Sequence, residues 1–571
     1  MRDRTYQITI VFLFCCLLAF LFSAQVIQGG HFYGLSLKNY IRIIQQEPYR
    51  GRIYDRNHDV IVDNTLSFDV VIIPQEVKDK EGLFKRLADI LSLDKGLLLK
   101  NYKKEYLNAF KPVPIVKAVS KTDAIRIEEA KLDLPGVAIE LNSQRTYPHA
   151  FSCCHVIGYM GEIDRSRITR LKEYGYDIKD KVGFCGIEEQ YDIYMRGEKG
   201  GQQIEVDSLG RQVRMIGFKP PVAGKDIQLT IDLELQQIAD DFLKGKKGAI
   251  VVLDVNNGEI LVMSSAPAFD PNIFIERNDK KALNYVLTSS DAPLFNRAIS
   301  GQFPPGSIFK VVTALAAFKE KDIFSSLTYE CSGKMKIGNR FFKCWTTHGP
   351  EDFYSAMAHS CDVYFYHLGL IAGVDALATM ARDFGLGSIT GIDLSHEAAG
   401  FVPNRMWKRM AKLEGWYDGD TANFSIGQGY VLTTPLQIAR LMAAFSNGGY
   451  LVNPHVIKKI GDESFKEKEP KKIKVDNQGL MLVRKSLRLP VSSEDGTAHD
   501  LDIEGMQICA KTGTAEVYNK ESHGWVAGFF PQLKPRYAFC VFLENIGSSH
   551  HACALVGQFF EEGLRKEKFL S

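Results

Sequence analysis

The run from Ile8 to Ile27, ITIVFLFCCLLAFLFSAQVI, contains no charged residue over 20 positions. As a helix it extends about 30 Å, the thickness of a bilayer's hydrocarbon core. Arg2 and Arg4 precede it, and no Lys or Arg follows until Lys38. Basic residues stay on the cytoplasmic side, so the expectation is a tail over 1–7 inside, a membrane helix over 8–28, and the rest of the chain outside. Ser23-Ala24-Gln25 would serve as a weak cleavage site in the alternative reading, a removed signal peptide. The apolar run is longer than the ~7–15-residue core such peptides use.

The remainder has an ordinary globular balance. Of 571 residues, 45% are hydrophobic and 24% charged, which supplies a large core. The formal net charge of +2 gives no electrostatic footprint for nucleic acid. The 11 cysteines are too sparse for a disulfide scaffold.

Patterning divides the chain in two. Pro48–Asn57 reads as a strand and turn, and Ser67–Ile73 as a strand. Glu76 to Lys131 carries helical periodicity, as in GLFKRLADILSL. Lys219–Gly224 looks like a linker. Beyond it come a strand at Asp226–Thr230 and a helix at Leu233–Leu243 capped by Asp232. Strands at Gly248–Asp254 and Glu259–Ser264 are joined by the turn Asn256-Asn257-Gly258, a hairpin signal. Helices follow at Lys310–Phe318 and Val363–Leu370, then a strand group from Gln507 to Glu544. The second half is therefore expected to be α/β, in the α+β sense, with an antiparallel sheet.

Three short motifs carry potential chemistry. Ser307-Ile308-Phe309-Lys310 follows Pro304-Pro305-Gly306, so Ser307 is expected at a helix N-terminus, where N–H groups favour developing negative charge. Lys310 lies one turn on, and a lysine of lowered pKa can take a serine's proton. Ser360-Cys361-Asp362 precedes a helix; Ser360 suits proton relay and Asp362 suits holding an amide, although either also suits simple capping. Lys511-Thr512-Gly513-Thr514 lies in a strand whose glycine admits another backbone, and Lys511 offers charge for a carboxylate. Thr512, Gly513 and Thr514 are the substrate-binding candidates. The N–H groups of Ser307 and Thr514 are candidates for an oxyanion hole. Each motif alone also fits a cap or a core strand; the order of the three is the informative feature.

That order resembles the penicillin-binding proteins and serine β-lactamases. With PYRGRIYDRN, RTYP from Arg145, GIEEQY from Gly186, Arg196-Gly197, Gly210-Arg211, NRAISGQFPPGSIFK, TGIDL, SIGQGYVLTTPLQIA and AKTGTAE, the chain is similar to class B penicillin-binding proteins of the elongation type. The resemblance implies a dimerisation or pedestal domain over 29–218 and a transpeptidase domain over 219–571. It implies that Ser307, assisted by Lys310, Ser360, Asp362 and Lys511, forms an acyl-enzyme on D-Ala-D-Ala stem peptides. β-Lactams would acylate the same serine. A RodA-type glycan polymerase and other elongation-complex proteins are the implied partners. Asp362 stands where most of the family has Asn, a mark of the elongation subfamily that leaves its role open. The competing class is a non-catalytic scaffold or a β-lactam sensor; a sensor needs more cytoplasmic sequence than Met1–Gln7 provides.

Cys331, Cys344, His348 and Cys361 are spaced C-x12-C-x3-H-x12-C. Three thiolates and an imidazole suit structural zinc. Buried free thiols or a Cys331–Cys344 disulfide are the alternatives. Some members of the resembling group bind zinc here with carboxylates at the first two positions, which favours zinc as the cofactor.

Overall fold

The computed structural model describes residues 2–30, 41–106, 112–163, 165–176, 180–206, 212–276, 279–320 and 327–569. The expected landmark Gly210-Arg211 lies outside them. The apolar N-terminal run forms a helix, Arg2–Phe22, continued by a π-helical turn, Ser23–Ile27. Its large apolar side chains, among them Phe12, Phe14 and Phe20, are exposed.

The chain forms two compact units that interleave along the sequence. One comprises Met1–Gly51, Asn64–Arg145 and Arg196–Lys225; the other comprises Arg52–Asp63, Thr146–Met195 and Asp226–Ser571. Residue 219 therefore lies near the chain's last entry into the second unit, not its first. Asp55 shows what holds the early segment there. Its buried carboxylate accepts from Asn57 N (2.6 Å), Asp59 N (2.8 Å) and Leu233 N (3.2 Å), while Ile53 pairs in parallel with Ile227.

The first unit contains an antiparallel sheet of Ile41–Gln46, Gly200–Val206 and Gln212–Lys219. Its core gathers Val70, Phe84, Leu87, Leu98, Val113 and Ile115. The stretch expected to be helical holds three helices, Lys80–Leu91, Lys95–Glu105 and Lys121–Glu129, opened by Asp79, Asp94 and Ser120 as side-chain caps. A strand, Val113–Val119, interrupts them and pairs with the long strand Val60–Ile72. Its VPIV segment has the β-branched content and alternating burial of a strand, which the flanking helices obscure in sequence.

The second unit is built on a five-stranded antiparallel sheet, in order Ile260–Ala266, Gly248–Asp254, Tyr537–Leu543, Lys520–Phe530 and Cys509–Val517. Both faces are covered. Ala249, Val251, Leu253, Ala538, Cys540 and Phe542 face one core; Ile250, Val252, Phe539 and Val541 face the other. That alternation follows from the period of a strand, and burial on both faces explains why these strands read as unbroken apolar runs. Helices Lys310–Glu320 and Pro435–Ser446 belong to the first core, and Ser549–Arg565 belongs to the second. Among the described residues, Cys509–Val517 has a strand neighbour on one side only, which makes it a sheet edge.

Candidate active site

The Pro304–Gly306 break sets up the position of the candidate nucleophile, Ser307. Gly306–Phe309 forms one turn of 3₁₀ helix, and the α-helix begins at Lys310. Ser307 is half-buried. The turn is wedged between two other backbones. Gly306 N donates to Gly427 O at 3.0 Å. A Cβ on Gly306 would stand 2.6 Å from Thr514 O, and one on Gly427 would stand 2.2 Å from Gly306 O. Both glycines have positive φ, +55° and +72°. Close approach of the nucleophile turn to the third motif thus depends on missing side chains.

Lys310 is wholly buried. Its ammonium donates to Ser360 O (2.7 Å) and Ser360 Oγ (3.1 Å) and pairs with Asp362 Oδ1 (2.7 Å). Three partners use all three N–H donors of an ammonium, which is what a buried cation requires. The Phe365 ring lies 5.3 Å from the same nitrogen. The sequence leaves Asp362 either to cap its helix or to hold an amide. It is the first residue of helix Asp362–Asp383, whose cap position belongs to Cys361, and its carboxylate faces Lys310. Ser360 has φ +55°, a costly conformation for a residue with a side chain.

Strand parity aims the third motif. Cys509 and Ala515 face the core that contains helix Lys310–Glu320, and Lys511 shares their parity. Burial pushes the Lys511 amine well below its ordinary pKa; the positive charge of Lys310 pushes it further, and Asp362 opposes both. Lys310, Asp362 and Lys511 therefore share one electrostatic neighbourhood. Thr512 turns the other way, its Oγ1 donating to Thr497 Oγ1 at 3.0 Å. Thr514 Oγ1 donates to Ser549 Oγ at 3.2 Å, and Gln428 Nε2 donates to Thr514 O at 3.2 Å. Gly513 lies against the nucleophile turn, where a Cβ would stand 2.8 Å from Pro305 O. The expected catalytic and substrate-binding residues thus lie on three segments that meet.

Sequence reasoning missed Gln428, Thr497, Ser549 and Phe365. Gln428 sits inside the quoted SIGQG landmark, where its spacing after Ser425 could have marked it. The other three meet the motifs only through the fold.

The expected metal ligands also converge. One ligand atom from each of Cys331, Cys344, His348 and Cys361 lies within 4.8 Å of the others. His348 Nδ1 is 3.4 Å from Cys331 Sγ and 3.6 Å from Cys344 Sγ. The backbone holds this arrangement through His348 N to Cys331 O (3.2 Å) and Cys344 N to Gly333 O (2.9 Å). Three sulfurs and one nitrogen gathered in this way fit a closed tetrahedral zinc site. Cys361 donates to Cys344, which draws the Cys344 thiol down to about 5 and pushes Cys361 up. The cluster touches the second motif directly: Asp362 N donates to Cys344 Sγ at 3.2 Å. All 11 cysteines are free thiols, so the alternative Cys331–Cys344 bridge is not formed.

The penicillin binding protein transpeptidase domain matches residues 248–562, and the penicillin-binding protein dimerisation domain matches residues 45–229. This chain belongs to the penicillin-binding protein transpeptidase family. Within that family it is a class B protein of the penicillin-binding protein 2 group. It is 30% identical to the peptidoglycan D,D-transpeptidase MrdA of Salmonella typhimurium, over 94% of this chain and 92% of that one. The Acinetobacter baumannii MrdA is 32% identical, over 95% of this chain and 84% of its own length. Among solved structures, the Helicobacter pylori penicillin-binding protein PBP2, in complex with MreC, is similar with a TM-score of 0.82 at 28% identity. That match covers 92% of this chain and 99% of the other.

Proposed function

We propose that this chain is a membrane-anchored peptidoglycan D,D-transpeptidase of cell-wall elongation, acting as a serine-type D-Ala-D-Ala carboxypeptidase/transpeptidase through Ser307. The observation that carries the reading is the placement of Lys310. One buried ammonium binds both polar residues of the second motif, beside Lys511 and next to the turn that bears Ser307.

The chemistry follows from those positions. A stem peptide docks as an added strand along the edge Cys509–Val517, with Thr512–Thr514 lining it and its terminal carboxylate drawn to Lys511. Lys310 passes one N–H proton to the Asp362 carboxylate it pairs with and, as the neutral amine, accepts the Ser307 proton while Ser307 Oγ attacks the penultimate D-Ala carbonyl. The N–H groups of Ser307 and Thr514 stabilise the oxyanion. The intermediate collapses, the C–N bond breaks, and the terminal D-Ala leaves with the proton on its amine. An amine from a neighbouring strand then attacks the ester and regenerates Ser307. A β-lactam enters by the first step and remains as the acyl-enzyme.

Cys331, Cys344, His348 and Cys361 would hold a zinc ion, which when bound supplies structural closure of the loop that carries Ser360 and Asp362. The apolar helix Arg2–Phe22 anchors the chain in the cytoplasmic membrane as a single span, with the N-terminus inside and the catalytic unit outside. A RodA-type glycan polymerase and an MreC-like scaffold are the expected partners.

The test is transpeptidation of lipid-linked glycan made by such a polymerase. The full chain should release one D-Ala per cross-link, and Ser307→Ala should abolish both products. Cross-links formed by Ser307→Ala at the wild-type rate contradict the reading.

A further inference from the structure

Cys344 and Cys361 belong to the candidate metal cluster and also adjoin the residues that hold the Lys310 ammonium. Their sulfurs lie within 4.8 Å of each other. Cys361 is fully buried, whereas Cys344 is partly exposed and reachable from solvent. Cys361 also stands between Ser360 and Asp362, the two residues that hold the Lys310 ammonium. The Cys344 sulfur accepts the backbone N–H of Asp362. Any change in bonding between these two sulfurs therefore acts on the loop that positions Lys310.

We propose that Cys344 and Cys361 form a modification site, a reversible disulfide whose formation disengages the Ser360–Asp362 loop and slows acylation of Ser307. This rests on the transpeptidase reading for its effect on activity, but not for the chemistry of the bond. The oxidant class is a small-molecule or protein disulfide. Cys344 gives up its proton as its sulfur attacks one sulfur of that disulfide, whose S–S bond breaks, and the first oxidant thiolate leaves. Cys361 then gives up its proton and attacks Cys344 Sγ in the mixed disulfide, expelling the second thiolate. The two cysteine sulfurs together lose two electrons to the oxidant. The departing thiolates take up the two thiol protons, so the oxidant ends as two thiols.

Two consequences follow from the geometry. The Asp362 N–H bond to Cys344 Sγ, 3.2 Å with the thiol, must then be made to a disulfide sulfur whose position has changed. Bringing the sulfurs from contact to bonding distance also moves Cys361 relative to its neighbours, and with it the Ser360 carbonyl and the Asp362 carboxylate. A metal held by the four residues loses two of its ligands and is released.

The experiment treats the purified full-length chain with oxidised glutathione, then maps thiols by alkylation and mass spectrometry. Metal is measured by elemental analysis, and acylation is followed with a fluorescent penicillin. The expected result is a Cys344–Cys361 linked peptide about 2 Da lighter than the two thiols, formed reversibly. Penicillin labelling should slow about tenfold or more with the link, return on adding a reductant, and in Cys344→Ser become insensitive to the oxidant. Metal present before oxidation should be released as the link forms. Both cysteines recovered as free thiols would overturn the proposal. So would a link that leaves the labelling rate or the bound metal unchanged, or a Cys344→Ser chain that the oxidant inhibits equally. Absence of labelling before oxidation would count against the Ser307 reading instead, and the linked peptide would still decide whether the bond forms.

Discussion

At Gly427 a single added methyl group would stand 2.2 Å from the Gly306 carbonyl and 2.8 Å from Phe309 Cβ. Neither neighbour can yield without moving the nucleophile turn, and the positive φ adds strain. Gly427→Ala should therefore slow penicillin acylation about 100-fold, because displacement of a reacting group by ~1 Å has that scale of effect. Stopped-flow labelling, with circular dichroism to confirm folding, would check it; an unchanged rate would show that the turn tolerates displacement. The same scale explains what can be read from sequence. Ser307, Lys310, Lys511 and Thr512–Thr514 announce themselves because each motif is local, so the chemistry is spelled out within one short stretch. Thr497 and Ser549 lie in separate segments, and Phe365, though one turn beyond Asp362, meets Lys310 only when the two helices pack. Asp362 is visible in sequence but its partner is not, because the choice between capping its helix and facing Lys310 depends on a helix distant in the chain.

Elements whose borders are set by side-chain caps and turns are the most legible. Helix Leu233–Leu243 and strand Gly248–Asp254 occur where periodicity, the Asp232 cap and the Asn-Gly turn place them. Strand Val113–Val119 escapes because it lies between helices and its short apolar run has no distinctive period. His550 and His551 are exposed in the first turn of helix Ser549–Arg565. Helix Leu233–Leu243 also yields a stability prediction. Asp240 is half-buried on it, accepting from Ser264 Oγ, from Gln236 Nε2 at 3.1 Å and from Cys153 N at 3.4 Å. Burial raises its carboxyl to about 7 from 3.8, against the opposing pull of those donors. The folded chain thus binds this proton more tightly than the unfolded chain does. Its contribution is full below about pH 4 and is lost as pH rises through about 7. Asp240→Asn removes that titration. Between about pH 5 and pH 8, by differential scanning calorimetry, the wild-type Tm should fall relative to the variant's. Parallel pH profiles would show that Asp240 does not titrate in this window.

At the scale of the whole molecule, the two units exchange the chain several times, so truncation at a single position severs the catalytic unit. Arg52–Asp63 and Thr146–Met195 belong to it, through contacts such as Asp55 with Leu233 and Ser395 Oγ with Glu189 at 2.7 Å. A chain starting at residue 219 should consequently be less stable than one that starts at residue 41, with a lower Tm and slower penicillin labelling. Equal stability would mean that the early segments are dispensable. The exposed apolar helix Arg2–Phe22 gives a second expectation. Removing residues 2–30 should move the protein from the membrane fraction to the soluble fraction, as read by immunoblot, while labelling persists. Retention in the membrane would place the anchor elsewhere. The interleaving is not legible in sequence, because packing between segments as far apart in the chain as Asp55 and Leu233 leaves no local pattern.

The proposed function rests on three distant motifs making one acylating centre on Ser307, and its most direct measurement is the site of covalent capture. The full chain is labelled with a fluorescent penicillin, digested, and the adduct located by tandem mass spectrometry. One adduct is expected, on Ser307, lost in Ser307→Ala and strongly slowed in Lys310→Ala. An adduct on any other residue, or undiminished labelling of Ser307→Ala, would contradict it.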